Sequence, residues 1–424
     1  MTNRLLQRGV EVDVLTIRMV PALMEGGAGP STSYDQESLQ LVDQGIRVYR
    51  SFPGVLDYIR TRFRRLFSAP MDLQGRFLFL RKLYSMFLKD FFYPASNMEW
   101  LFWGFLKGYR LSRKTQYDLI YSTDNPITCR LISYFLKKRF HWPWILFMGD
   151  PYCFGGIELL RPRWRLRIDG ALDRKLLPSA DMIIVNCQET RDGYLARFPS
   201  LKRERFCVIT DGFDDVHYAS IAAEGSENFR IVYTGTVYDG ARNLDSFLEA
   251  ISGLKGPRLE VVIAGNVGSS FSKTIEGLEL KDTVKVLGFQ SHNRIVSLQK
   301  GASVLLLVGW WGGFQIPGKL FEYFGAKRPI LAIQNDKTDP TSVLVAKRRR
   351  GIVVDNDVGA IKTAIRELYS LWEENTLDTT FDLSDLQEFA LGSLSASFVQ
   401  LVEQVVQGKD AYEPRDMSPV RKTG

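Results

Sequence analysis

GWWGGFQIPGKLFEYFGAKRPILAI, residues Gly309 to Ile333, follows the apolar run Ser303 to Val308. It passes through a Gly- and Trp-containing loop, enters a short helix near Pro317 and returns to β-rich composition at Pro329 to Gln334. A strand, a glycine loop, a helix and a second strand joined by short connections make a βαβ crossover, which implies parallel strands. A helix that opens at the C-terminal end of a strand presents backbone N–H groups without intrahelical acceptors, a natural seat for an anion. Gly312, Gly313, Phe314 and Gln315 in the loop, with Pro317, Gly318 and Leu320 at the helix opening, are therefore candidate binding residues. Lys319 adds a full positive charge, and Glu322, about one turn later, offers carboxylate acceptors to sugar hydroxyls. The competing reading makes LFEYF a buried helix whose Glu pairs with a neighbouring base.

Outward from this stretch the same pattern repeats. Strand-like runs occur at Val12 to Ile17, Asp118 to Ser122, Trp144 to Met148, Met182 to Asn186 and Phe206 to Thr210. A second set occupies Arg230 to Gly235, Leu259 to Gly265, Val284 to Gly288, Ser303 to Val308 and Pro329 to Gln334. Short β-rich runs separated by helical segments predict parallel sheets covered on both faces. The expected fold class is α/β, with two Rossmann-like, doubly wound halves. The first half is expected over 1–213, a polar linker over 214–228 and the second half over 229–382. A C-terminal helix over 383–407, free to pack on either half, and a disordered tail over 408–424 complete the chain. A doubly wound half ordinarily opens with a strand and a glycine turn, whereas Asn3 to Gly9 reads as the end of a helix feeding Val12 to Ile17. The first strand and its turn are expected to be missing.

The second informative stretch, IVYTGTVYDGARNLDSFLEAI from Ile231 to Ile251, opens the second half. Gly235 ends the strand, Thr236 follows it, and Arg242 precedes the next helix. A guanidinium there can grip a diphosphate with two parallel hydrogen bonds. A lone Arg is equally at home as surface charge.

Composition narrows the class. Of 424 residues, 45% are hydrophobic and 24% charged, close to the average for globular proteins, which excludes fibrous and multispanning chains. The net charge of +7 accompanies no nucleic-acid reading motif, so no nucleic-acid partner is expected. Cys129, Cys153, Cys187 and Cys207 form no CxxC pair, and three of them lie in or beside apolar segments. That suits reduced, buried thiols and a cytoplasmic location. No run reaches the roughly 18 apolar residues of a membrane span, and the N-terminus has no signal-peptide pattern.

Between Tyr58 and Arg113, cations (Arg60, Arg64, Arg81, Lys89) interleave with rings (Phe63, Phe77, Phe87, Phe91). Such a segment fits an anionic membrane surface, or a pair of core-packing helices whose basic stems snorkel.

Together HWPWILFMGDPY, ADMIIVNCQETRDGYL, ITDGFD, YTGTVY and above all PGKLFEYFGAKRPILA resemble the retaining GT-B glycosyltransferases of family 4, over nearly the whole chain. The resemblance implies two halves facing across a cleft, with a nucleoside-diphosphate sugar as co-substrate and no cofactor or metal. By position Glu322 would contact the donor ribose and Arg242 the diphosphate, with Gly235, Thr236 and the loop before α-helical Lys319 completing the donor site. The acceptor would be a hydroxyl of a glycan or a lipid-linked glycan, in cell-surface polysaccharide synthesis. A second family Glu is replaced by Phe314, and an Arg that often follows the strand-ending Gly is replaced by Thr236. Asp150 stands where the family places a polar residue facing the cleft, and Asp124 and Asn125 have a similar placement. Asp150 can orient sugar or acceptor, or serve as a turn residue before Pro151. The catalytic candidates are thus Asp150, Arg242 and Lys319.

The DxD at Asp355-Asn356-Asp357 reads as a helix N-cap rather than a metal site. His141 and His292 read as structural. A non-catalytic GT-B scaffold, and a nucleotide-sugar epimerase or hydrolase of the same shape, remain competing readings.

Overall fold

A computed structural model of the chain describes residues 2–18, 45–55, 97–155, 161–237, 244–254, 258–309 and 313–408. Its strands are β1 (Asp13–Ile17), β2 (Arg47–Ser51), β3 (Ile120–Thr123), β4 (Trp144–Met148), β5 (Met182–Val185) and β6 (Phe206–Val208), then β7 (Phe229–Thr234), β8 (Leu259–Ala264), β9 (Val284–Gly288), β10 (Val304–Val308), β11 (Ile330–Gln334) and β12 (Gly351–Asp355). The helices are α1 (Thr2–Leu6), α2 (Trp100–Ser112), α3 (Ile127–Phe140), α4 (Arg163–Leu176), α5 (Gln188–Arg197), α6 (Asp215–Ser220), α7 (Asp245–Ser252), α8 (Ser269–Gly277), α9 (His292–Lys300), α10 (Gly318–Ala326), α11 (Pro340–Lys347), α12 (Val358–Glu373), α13 (Leu377–Thr380) and α14 (Leu391–Val406).

β7 to β12 form one parallel sheet in the order β12-β11-β10-β7-β8-β9. The central strands β10 and β11 are apolar on both faces because helices cover both. Val304, Leu306 and Val308 of β10 enter one core, and Leu305 and Leu307 enter the other. Strand order reverses between β7 and β10, and a crevice opens at the C-terminal ends of strands where such a reversal occurs.

In the N-terminal half, β3-β4-β5-β6 form a parallel sheet, while β1 and β2 pair parallel in a separate sheet. Leu15 of β1 and Ile120 of β3 pack into one cluster with Trp100 of α2 and Ile132 and Leu136 of α3. The Tyr117 hydroxyl donates to the Asp13 carboxylate at 2.5 Å, tying the two sheets at their N-terminal ends. The sequence reading passes over β2 because Arg47 and Arg50 interrupt its apolar residues.

The polar stretch 214–228 is no loose tether. It contains α6 and packs on the C-terminal half: Tyr218 donates to Gln299 at 2.5 Å, Lys300 to the Tyr218 carbonyl at 2.7 Å, and the Glu224 amide to the Ser297 carbonyl at 3.1 Å. The chain crosses between halves twice, and the crossings lie side by side. The Phe213 amide donates to Phe389 at 3.1 Å, and Leu391 returns a bond to Phe213 at 2.9 Å. A Cβ at Gly212 would come within 2.4 Å of the Phe389 carbonyl, so only glycine permits this approach.

After the second crossing, helix begins at Leu391 rather than at 383. Leu394, Phe398 and Leu401 of α14 pack on Ile145, Ile184 and Cys207, placing α14 on the N-terminal half. Arg4 of α1, beside α14, is ion-paired with Asp214 and Asp215 at 3.1 and 3.2 Å. Asp357 caps α12 by accepting from the Ala360 amide at 2.8 Å, and His141 ends α3 in the left-handed region at φ 62°. The four cysteines are free thiols. Among the described residues, no helix is long and apolar enough to cross a membrane.

Candidate active site

At the strand-order reversal, β7 runs out into Gly235 and β10 into Gly309. Gly235 adopts φ +120°, and a Cβ there would lie 2.8 Å from Lys319 Nζ. A glycine is thus required both by the backbone and by the ammonium beside it. Lys319 Nζ lies 4.3 Å from the centre of the Tyr233 ring and donates to its hydroxyl at 3.2 Å. The two stretches that the sequence reading singled out meet at this point.

α10 begins after Pro317, whose φ of −67° and ψ of 138° place it at the N-cap without a side-chain cap. Leu320, Phe321, Tyr323 and Phe324 face the core. Lys319 and Glu322, three residues apart, therefore share the opposite side. Tyr323 fixes the helix to both strands flanking the crevice: its hydroxyl accepts from the Thr234 amide at 3.2 Å and donates to the Leu306 carbonyl at 3.1 Å. Glu322 Oε2 accepts from Gln299 Nε2 at 3.2 Å. Gln299 is fully buried, donates to Thr234 Oγ1 at 3.1 Å and accepts from Tyr218. Glu322 is thus aimed by a network that no local sequence pattern announces.

The Leu320 side chain is fully buried in the core, and its amide donates to the Pro317 carbonyl at 2.9 Å, so neither group is left for a ligand. The Thr236 carbonyl accepts from Tyr233 at 3.2 Å. Gly313 takes φ +62°, and the Gln315 carbonyl accepts from Thr341 at 3.4 Å. Phe314 belongs by sequence to the donor loop, but its ring packs on Phe154 of the opposite half at 5.3 Å. Arg242 and Gly312 lie outside the described residues, as do residues 58–96 of the basic aromatic segment and the tail from 409.

Across the crevice stand three carboxylates. Asp124 follows β3, Asp150 follows β4, and Asp211 follows β6. The Asp150 amide donates to Asp124 Oδ2 at 3.1 Å, and the Asp150 side chain is exposed. Asp124 is only 6% exposed, and burial pushes its pKa up to about 6, against the pull of the Asp150 amide. Burial also raises Asp211, assisted by the negative charges of Asp150 and Glu322. A Cβ on Gly318 would lie 3.4 Å from Asp211 Oδ2, so Asp211 borders the first turn of α10. Asp211 was passed over within ITDGFD. Its position directly after a strand was the one available signal, the same signal that marked Asp150.

The cleft is therefore bipolar. A lysine and a helix opening lie on one wall, and three carboxylates lie on the other, two of which, Asp124 and Asp211, have their pKa raised by desolvation. An anion would settle on the first wall, while hydroxyls or developing positive charge suit the second.

Comparison with known proteins agrees with this geometry. Residues 1–212 match a family model described as glycosyl transferase 4-like domain, and residues 228–370 match one described as glycosyl transferases group 1. No curated protein matches the chain in sequence. Among solved structures, sucrose-phosphate synthase from Thermosynechococcus elongatus is similar at 14% identity and a TM-score of 0.63, covering 96% of this chain and 91% of that one. HepE from Anabaena, in complex with UDP-glucose, is similar at 14% identity and a TM-score of 0.61, with 92% and 99% covered. WaaG, a glycosyltransferase of lipopolysaccharide biosynthesis, follows at 14% identity and 0.58, with 94% and 93% covered. The fold is GT-B, and the chain belongs to the group 1 glycosyl transferases, family 4.

Proposed function

Proceeding from that membership, we propose that the chain moves a sugar from a nucleoside-diphosphate sugar to a hydroxyl of a glycan or lipid-linked acceptor, with retention, in cell-surface polysaccharide synthesis. The observation that carries this reading is the meeting of Gly235, Lys319 and the opening of α10 at the strand-order reversal, with Glu322 one turn further on. The first-turn amides and Lys319 would hold the diphosphate, joined by Arg242, and Glu322 would accept from the ribose hydroxyls. HepE, of the same fold, has been crystallised with UDP, with UDP and glucose, and with UDP-glucose.

In the proposed step, the bond from the anomeric carbon to the diphosphate oxygen breaks, and the acceptor oxygen forms the new bond on the same face. The acceptor proton passes to the departing phosphate, so no enzymic nucleophile is needed. Positive charge and oriented N–H groups stabilise the oxyanion as it forms. Asp150, Asp124 and Asp211 would orient the acceptor hydroxyl and the transferred sugar. Charge neutralisation by Lys319 and Arg242 takes the place of a metal ion in this scheme.

The test is a calorimetric and thermal-shift screen against UDP, GDP, ADP and TDP, with and without Mg²⁺. A ligand that binds only the folded state raises stability. Stabilisation by one diphosphate, equal with and without metal, is the expected result. A folded protein that responds to none would instead be a non-catalytic scaffold. Turnover of donor with no acceptor present would indicate an epimerase or hydrolase.

We also propose a cytoplasmic protein that docks peripherally on an anionic membrane. Phe102 and Trp103 of α2 and Phe135 of α3 are 62%, 37% and 42% exposed, and Lys107, Arg110, Lys138 and Arg139 lie on the same two helices, which carry no acidic residue. Exposed rings beside cations suit the headgroup zone. Salt-sensitive binding to anionic vesicles is expected, and a protein that stays unbound at low salt would refute it.

A further inference from the structure

The donor loop reaches into the opposite half of the molecule. Residues 309–317 link β10 to α10, both in the C-terminal half, yet Phe314, within that link, packs against the core of the N-terminal half. Its ring meets Phe154 edge-on at 5.3 Å and 85°, and Phe154 in turn meets Tyr194 at 4.8 Å. Two glycines border the Phe314 ring closely, and a Cβ at Gly193 would press on Phe154 at 2.6 Å. A Cβ at Gly193 would lie 3.1 Å from Phe314 Cδ1, and one at Gly155 would lie 3.3 Å from Phe314 Cβ.

Hydrogen bonds repeat the message. The Phe314 carbonyl accepts from Thr190 Oγ1 and from Cys187 Sγ, the latter at 3.4 Å, and the Ile316 carbonyl accepts from Asn186 Nδ2 at 3.4 Å. Asn186, Cys187 and Thr190 all lie where β5 passes into α5. The other end of the loop stays with its own half: the Gly309 amide donates to Ile333 at 2.8 Å, and Asn335 Nδ2 donates to the Gly309 carbonyl at 3.2 Å. The loop is a strap across the cleft.

From this arrangement we propose that Phe314 is a positioning residue, the latch by which the N-terminal half holds the donor loop and sets the separation between the two walls of the cleft. The inference rests on the donor reading of α10 given above. Gly235, Lys319 and Glu322 all belong to the C-terminal half, so donor affinity does not depend on the latch. Transfer does depend on it, because Asp124, Asp150 and Asp211 must come within bonding range of a sugar held on the other wall. A misplacement of about 1 Å between reacting groups can cost on the order of a hundredfold in rate.

Two readouts test the latch. In small-angle scattering of the ligand-free protein, Phe314→Ala is expected to raise the radius of gyration, Thr190→Ala to raise it less, and Phe314→Leu to leave it unchanged. A folded Phe314→Ala protein with the wild-type radius overturns the proposal, and this arm needs no nucleotide, so it stands even where the donor reading fails. In the second readout, Phe314→Ala is expected to keep its affinity for the nucleoside diphosphate identified by the screen within about twofold while turnover falls roughly ten- to a hundredfold. An affinity loss as large as the turnover loss would place Phe314 in the donor pocket itself and overturn its role as latch.

Discussion

On the C-terminal wall of the cleft, the groups that face the crevice come from one contiguous motif and one strand end, and they are held by partners in the same half. On the N-terminal wall, Asp124, Asp150 and Asp211 come from the ends of three separate strands, and burial raises the pKa of two of them, Asp124 and Asp211. On the proposed reading the first wall would be a fixed anion seat, because the charge of Lys319 and the opening of α10 stand in place without a ligand. The second is a surface whose charge depends on pH and on what lies opposite. Separating binding from reaction in this way predicts that damage to the two walls will look different in the same assays.

The largest effect is expected at Lys319. On the proposed donor reading, Lys319→Ala removes the cation that would face the leaving diphosphate, and loss of one such stabilising group costs about 10²–10³-fold in turnover. Affinity for inorganic pyrophosphate and for the nucleoside diphosphate should fall together, because both carry the charge that Lys319 meets. Calorimetry with the two ligands checks this, and pyrophosphate affinity at the wild-type level would take Lys319 out of the site.

The N-terminal wall is tested through pH. The proton on Asp124 is held more tightly in the folded chain, where its pKa is about 6, than in the unfolded chain, where it is 3.8. Stability from this group is therefore fullest below pH 3.8 and is lost as pH rises through about 6. The shift of roughly two units corresponds to about 3 kcal/mol at the upper limit. Asp124→Asn keeps an oxygen to accept from the Asp150 amide and carries no charge to desolvate. Relative to the wild type, its melting temperature is expected to rise as pH increases from about 4 to about 6.5. A difference that stays constant over that range would show that Asp124 titrates normally.

How much of this was legible in the sequence follows the same division. The stretch around α10 could be read because its strand, loop, lysine and glutamate are neighbours, and periodicity alone sets Lys319 and Glu322 on one side. The doubly wound order and the reduced cysteines were likewise visible in local pattern. Gln299 was not, because its burial is made by α6 and α9 packing together, and nothing in SLQK marks it. The burial of Leu320 was not legible, because proximity to a motif says nothing about which way a side chain turns. Phe314 was taken as a donor residue for the same reason, and only the fold reveals that its loop reaches the opposite core. The C-terminal helix gave no sign of its destination until Phe389 and Phe213 were seen side by side.

The smallest expected effect refines the C-terminal wall. Glu322→Ala should weaken nucleoside-diphosphate binding by about tenfold, the scale of one hydrogen bond to a charged group. Pyrophosphate binding should remain at the wild-type level if, as proposed, Glu322 meets the ribose rather than the phosphates. Gln299→Leu leaves Glu322 in place but removes the donor that aims it, so a loss of only a few-fold is expected, again confined to ligands with a ribose. Combining the two changes should cost no more than Glu322→Ala alone, because an aiming residue has nothing to act on once its target is gone. Additive losses in that double mutant would mean that Gln299 touches the nucleotide itself, and the network through Tyr218 and Thr234 would then be part of the pocket rather than its support.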